Sequence, residues 1–350
     1  MNNANSDVNV LVTGASGYIA SRVVLDLLDA GYRVRGTIRS SEAGTGLLQA
    51  LAPHTDQLDR LELFQTDLTA DAGWDEAVQG CDYVQHIASP FPLENPVEEA
   101  ELIRPAVEGT RRVLAAAARH GVRRVVLTSS VAAVFHGQNG RTEPFSESDW
   151  TIVNEHIDAY AKSKTLAEQV AWEFMESLPA DHPMEMAVIN PGYVIGPVFD
   201  SREKTSAELL KTYMEGRVPG VSRIKFNLVD VRDVSKAHLA AMTSPEAAGK
   251  RFLCVAGGIW LPEIADILST RFEPLGYRIP TMRFPEWFVR LYALVDSNAR
   301  RVSDELNKEI RFDTTRIREI LGWEPRPLET SILEMGESMI EHGVVRPSAK

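Results

Sequence analysis

The chain has 350 residues, 44% hydrophobic and 25% charged, with a formal net charge of −12. That length accommodates a large core and more than one compact unit, and the acidic balance argues against nucleic acid or an anionic membrane surface as partner. Met1–Asp7 carries no signal-peptide pattern, no apolar run reaches membrane-spanning length, and Cys81 and Cys254 make neither a disulfide framework nor a zinc site. A cytoplasmic protein with two reduced thiols is expected.

Val8 to Val12 reads as a buried strand. The chain then turns at Gly14 and Gly17 and becomes helical, with Ala20, Val23, Val24, Leu27 and Leu28 on one face. A strand, a glycine turn and a helix N-terminus in that order suit a phosphate, because the first amides of a helix are unpaired and its dipole favours an anion there. Glycine lets a pyrophosphate approach the backbone. The spacing Gly14-x-x-Gly17-x-x-Ala20 departs from the G-x-G-x-x-G form, and an ordinary strand–helix turn is the alternative.

Tyr32 to Ile38 predicts a second strand. An acid near its end usually binds the ribose 2′-hydroxyl of NAD, and none occurs between Tyr32 and Ser41. Arg39 stands there instead, with Arg35 as a second candidate on the same strand face. A guanidinium at that place pairs with the 2′-phosphate of NADP; solvated surface arginines are the alternative. The alternation continues with a helix at 47–51, strands at 60–65, 82–87 and 123–127, and helices at 72–79 and 97–119. This spacing predicts a doubly wound parallel α/β sheet of Rossmann type, its ligands at the strands' carboxyl ends. Gly14, Arg39, Asp67, Ala88 and Ser130 should therefore line one edge. Asp67 can accept from an adenine amino group or serve as a helix N-cap.

Tyr160-Ala-Lys-Ser-Lys164 opens a helix and places Tyr160 and Lys164 on one face. A neighbouring ammonium favours the phenolate, so the phenol is expected to be tuned below its usual value of about 10. Such a tyrosine gives a proton to a developing alkoxide, Lys164 can hold ribose hydroxyls, and the Ser130 hydroxyl can polarise the same carbonyl oxygen.

At this point the motifs carry a resemblance. Val12–Ala20, Val34–Arg39, His86–Pro90, Leu127–Ser130, Tyr160–Lys164, Asn190–Pro197, Val229–Val234 and Leu321-Gly-Trp323 are similar to the extended short-chain dehydrogenases/reductases. Within that group the chain resembles the dihydroflavonol reductase, cinnamoyl-CoA reductase and yeast-type carbonyl (aldehyde, methylglyoxal) reductase branch. The resemblance implies a catalytic set Ser130, Tyr160 and Lys164, with Ser129 structural. It implies NADPH contacts at Gly14, Gly17, Tyr18, Ile19, Arg39, Asp67, Leu68, Ile87, Ala88, Ser89, Lys164, Pro191 and Val194. The lysine that often follows the strand-end arginine in the plant enzymes is missing from Ser40–Thr45. Phe135 stands where dihydroflavonol reductases carry a flavonoid-reading asparagine, which argues against a flavonoid substrate.

Beyond Ile189 the sequence predicts a turn-rich loop at 190–197, a helix at 206–215, a strand at 227–231, a helix at 233–242, a strand at 251–255 and a mainly helical region from 261 to 343. The expected division is a dinucleotide-binding domain over 1–190, receiving about 225–245, and a smaller substrate lobe over 191–350. Phe91, Phe135, Tyr193, Met214 and Phe226 are candidates for an apolar pocket, with core packing as the alternative for each. The expected activity is NADPH-dependent reduction of an aldehyde or ketone, with NADP rather than NAD, a small-molecule carbonyl substrate, no metal, and a monomer or homodimer. A nucleotide-sugar epimerase or dehydratase shares the fold, but those enzymes normally keep NAD bound and the acid for its ribose is missing near Ile38; dehydratases also carry an Asp-Glu pair where Ser130 is followed by Val131-Ala-Ala-Val134. A steroid dehydrogenase/isomerase differs mainly in substrate. A non-enzymatic NADPH-sensing regulator usually lacks the tyrosine or lysine retained here.

Overall fold

The computed structural model describes residues 5–90, 98–138, 140–202, 207–294, 303 and 305–347. The chain forms two compact units. The first comprises Met1–Pro191, Arg232–Cys254 and Asp313–Glu324; the second comprises Gly192–Val231, Val255–Phe312 and Pro325–Lys350.

The first unit is built on β1 (Asn9–Val12), β2 (Arg33–Ile38), β3 (Leu61–Gln65), β4 (Tyr83–His86), β5 (Arg124–Thr128), β6 (Glu185–Pro191) and β9 (Lys250–Cys254). They form one parallel sheet in the order β3-β2-β1-β4-β5-β6-β9. Val10, Leu11 and Val12 are fully buried, as expected of a strand covered on both faces. The helices of this unit are α1 (Tyr18–Asp29), α2 (Ser41–Leu51), α3 (Trp74–Val78), α4 (Ala100–Arg119), α5 (Ala159–Ser177), α7 (Val231–Thr243, from Arg232 on) and α10 (Thr315–Leu321). α1 buries Ala20, Val23, Val24, Leu27 and Leu28, the face read from the sequence. α2 begins six residues earlier than predicted, because the Ser40 hydroxyl accepts from the Ala43 amide and caps it.

Strand order reverses between β1 and β4. In an open parallel sheet the connections leave on opposite faces there, and a crevice opens at the carboxyl ends. Gly14 follows β1 and Ile87 follows β4, so the glycine turn sits at that point. Gly36 lies in mid-strand because a Cβ there would come within 2.9 Å of both Ala15 Cβ and Leu63 Cδ2.

The second unit contains a three-stranded sheet, β10-β8-β7, of β7 (Tyr193–Ile195), β8 (Lys225–Asp230) and β10 (Gly257–Trp260). Its helices are α6 (Glu208–Met214), α8 (Leu261–Phe272), α9 (Glu286–Tyr292) and α11 (Leu328–Glu341). The stretch read as a loop at 190–197 thus holds the end of β6 and all of β7. The first unit, for its part, takes in β9 and α10.

Candidate active site

The glycine turn is locked by backbone geometry. Gly14 has φ +63°, and a Cβ on it would lie 3.0 Å from Ala88 Cβ, so both conformation and space require glycine. Its amide donates to Thr37 Oγ1 at 3.0 Å, and Ala15 donates to Thr37 O at 2.8 Å. α1 starts at Tyr18 and Ile19 with no side-chain cap at Gly17 and no acidic residue in its first turn. The positive end of the helix thus carries no acid in its own first turn, which suits a phosphate.

Thr13, missed in the sequence, ties the two sides of this crevice together. Its hydroxyl accepts from the amides of Ile87 and Ala88 at 3.0 Å each. Ile87, Ala88 and Ser89 are half-buried. Its signal was a lone hydroxyl residue at the end of an apolar strand. Phe91 lies outside the described residues.

Arg39 is exposed just beyond β2, close enough to Asp67 to hold that carboxyl below its usual range. The larger cause of that lowering is Thr69, whose hydroxyl and amide both donate to Asp67 Oδ1, at 2.6 and 2.7 Å. Asp67 therefore folds an Asx turn. No helix starts there, since α3 begins at Trp74, so the N-cap reading is corrected. Leu68 packs on Gly109 and gives its carbonyl to Arg112 at 2.8 Å. Arg35 is a correction as well. Its guanidinium donates to the carbonyls of Glu76 and Gln79, pairs with Glu62 at 3.5 Å and lies over the Phe64 ring, so it is already committed.

At the carboxyl end of β5, Ser130 is buried and its Oγ accepts from the Ala132 amide at 3.1 Å. The same hydroxyl lies near enough to the Tyr160 phenol to act on its proton affinity. Tyr160 is the second residue of α5, which Asp158 caps by accepting from Ala161 N at 2.9 Å. Lys164, one turn along, is buried and donates from Nζ to Thr128 O at 3.3 Å. The structure thus gathers Ser130, Tyr160 and Lys164 at the end of β5.

Their electrostatics differ from expectation. Burial pushes the Tyr160 phenol up to about 12, with the Ser130 hydroxyl opposing and Asp158 adding to it. Burial lowers Lys164 to about 8, against the Glu168 carboxylate. Desolvation is the largest influence on both groups, and it moves the phenol opposite to the direction argued from spacing. Tyr160 therefore carries its proton at neutral pH and holds it more tightly than a free tyrosine does.

Phe135 stacks on His136 with centroids 3.9 Å apart and meets Phe145 edge-on at 6.2 Å. In the second unit Tyr193 meets Phe226 edge-on at 6.0 Å. Met214 is fully buried and lies beside Gly336 and Phe272, so it belongs to that unit's core. Pro191 ends β6, and Val194 lies in β7. Among the described residues no group of three His, Cys, Asp or Glu can hold a metal, and no helix is long and apolar enough to cross a membrane.

Residues 10–255 match the NAD dependent epimerase/dehydratase family. The chain belongs to that family, the extended short-chain dehydrogenases/reductases. Among curated members, a cinnamoyl-CoA reductase of Medicago truncatula is 34% identical over 97% of this chain and 98% of its own. An NADPH-dependent methylglyoxal reductase of Saccharomyces cerevisiae is 33% identical over 78% of this chain and 85% of its own. The solved yeast methylglyoxal/isovaleraldehyde reductase complexed with NADPH superposes with a TM-score of 0.80 at 28% identity. That match covers 97% of this chain and 100% of that one. Within the extended family this chain is thus an oxidoreductase with NADPH-dependent reductases among its relatives.

Proposed function

We propose that the protein reduces an aldehyde or ketone to the alcohol with NADPH. The observation that carries this reading is the nearness of the Ser130 hydroxyl to the Tyr160 phenol, with Lys164 one turn further along α5 and its Nζ on the Thr128 carbonyl at the end of β5. The Ser130 and Tyr160 hydroxyls converge and can donate together to one carbonyl oxygen, stabilising negative charge as it develops. Tyr160, protonated at neutral pH, then gives its proton to the alkoxide. Lys164 supplies positive charge near the phenol and a donor for the ribose hydroxyls. The residues fit the dinucleotide: the uncapped start of α1 and the Cβ-free turn at Gly14 suit the pyrophosphate, and Arg39 suits a 2′-phosphate. When bound, NADPH supplies the hydride.

The relatives divide between a thioester, in the cinnamoyl-CoA reductases, and a free carbonyl, in the methylglyoxal reductases. The test is consumption of NADPH, followed at its reduced-nicotinamide absorbance, with aliphatic and aromatic aldehydes, ketones, methylglyoxal and cinnamoyl-CoA. Turnover with a free carbonyl that vanishes in Tyr160→Phe is the expected result. Tight NADPH binding without turnover on any of these compounds would remove the proposal.

A further inference from the structure

Glu168 lies one turn beyond Lys164, as Lys164 lies one turn beyond Tyr160, so the three share one face of α5. It is fully buried. Its carboxylate accepts from Arg251 Nε at 2.6 Å and Nη2 at 3.3 Å, Ser129 Oγ at 2.6 Å, Asn190 Nδ2 at 2.8 Å and Trp172 Nε1 at 3.3 Å. A buried ion pair is a weak stabilising device, because desolving two charges offsets their attraction and apolar replacements are often neutral. The pair's connections suggest another role. Ser129 directly precedes Ser130, and Asn190 Nδ2 also donates to Ser130 O at 3.2 Å. On the other side, Arg251 Nη1 donates to the carbonyls of Glu147 and Asp149 at 3.0 and 2.7 Å, and the guanidinium lies 3.8 Å over the Trp150 ring. That segment leads to Asp158, the cap of α5.

We propose that the buried Glu168–Arg251 pair is a positioning element for Ser130, Tyr160 and Lys164. The carboxylate ties the serine-bearing end of β5 to the helix that carries the tyrosine and lysine, and the guanidinium pins the loop that feeds that helix. The inference rests on the reading of those three residues as the reacting groups. The charged and titratable groups around Lys164 are Tyr160 and Glu168 on its own helix and His86 at the end of β4. Loss of the carboxylate removes the anion that favours the ammonium.

The test uses the full-length protein as Glu168→Gln and as the paired Glu168→Met with Arg251→Met, which removes both charges together and keeps a folding-competent core. In the folded variants kcat is expected to fall about 100-fold, the scale of a reacting group misplaced by an ångström. The KM for NADPH is expected to rise much less than kcat falls, since the glycine turn and Arg39 lie elsewhere and only the Lys164 contact to the ribose is disturbed, and the alkaline limb of the pH–kcat profile should move to lower pH. Crystal structures of the same variants should show Ser130 drawn away from the Tyr160 hydroxyl. A folded paired variant with wild-type kcat, wild-type pH profile and an unmoved Ser130–Tyr160 contact would overturn the inference. If the wild type consumes no NADPH with any carbonyl, the proposed function fails instead, and the crystal structures still decide whether the pair positions these residues.

Discussion

The Thr13 hydroxyl lies 2.9 Å from Nδ1 of His86, and it can only donate there. Its lone pairs already accept from the Ile87 and Ala88 amides, so its one proton goes to the imidazole. The neutral ring then carries its own proton on Nε2, which is buried and has no hydrogen-bond partner among the described residues. Burial, with the Lys164 charge adding to it, lowers His86 to about 3. One hydroxyl thus joins β1 to β4 where the strand order reverses and fixes the tautomer of the histidine beside it.

Thr13→Val keeps the shape and removes that acceptor. Two backbone amides lose their partner, each worth about 1–3 kcal/mol when left buried and unpaired. Urea unfolding should show a loss of about 2–6 kcal/mol for the two together, and the KM for NADPH should rise as Gly14 and Ala88 lose their relative placement. Unchanged stability would mean that water replaces the hydroxyl at no cost.

Acid stability follows from two buried imidazoles. His238 donates from Nδ1 to Gln85 Oε1 at 2.8 Å and accepts at Nε2 from Thr128 Oγ1 at 3.0 Å, so it too is held neutral, at about 3 through burial. Both folded values lie below the unfolded value of about 6.5. The unfolded chain therefore binds more protons between pH 6.5 and 3, and stability falls as pH drops through that window. The slope is about 1.4 kcal/mol per pH unit for each histidine. Denaturant curves from pH 7 to 4 check this; a flat dependence would show that one or both rings titrate normally.

Lys164 and Tyr160 act on the alkaline side with opposite signs. Lys164 is lowered to about 8, so its burial penalty is full below pH 8 and fades as pH rises toward the unfolded value of about 10.4. Tyr160 is raised to about 12, so the folded chain keeps a proton that the unfolded chain loses above about 10, and stability falls from there. In the reducing direction kcat should hold through neutral pH and decline above about 8 as Lys164 loses its charge. Removal of the phenol in Tyr160→Phe is expected to lower kcat by about 100- to 10,000-fold with NADPH affinity retained. A decline with its midpoint far below pH 8 would assign the limb to another group.

Arg39→Ala tests the cofactor choice. A charge-assisted hydrogen bond to phosphate contributes about 1.5–3 kcal/mol, so the KM for NADPH should rise about 10- to 100-fold. The KM for NADH should move little. Equal effects on both cofactors would take Arg39 out of the 2′-phosphate argument.

Much of the first unit was legible because its signals are local. Val10–Val12 is apolar without interruption, Gly14 needs a positive φ, and Tyr160 and Lys164 are a helical turn apart. β7 and β10 escaped because Tyr193–Ile195 is too short for a period to emerge between Pro191 and Pro197, and β10 opens on Gly257-Gly258. The direction of the Tyr160 shift also escaped. Sequence names the ammonium one turn away but not the depth of burial, and burial decides. Arg35 and Arg39 look alike in sequence; only the carbonyls of Glu76 and Gln79, brought across from α3, separate them.

The first unit closes its sheet with a strand made late. β6 ends at Pro191, yet its outer edge pairs with β9, whose last residue is Cys254, and α10 of the same unit ends at Leu321. During synthesis, therefore, a row of unpaired β6 amides and carbonyls stands open for the time it takes to add some sixty residues, a template for pairing with another chain. A fragment ending at Pro191 would carry the whole glycine turn, the tyrosine and the lysine, and still present that open edge. It would also lack Arg251 on β9. The sheet that carries Ser130 is in this way finished only after β9 has been made.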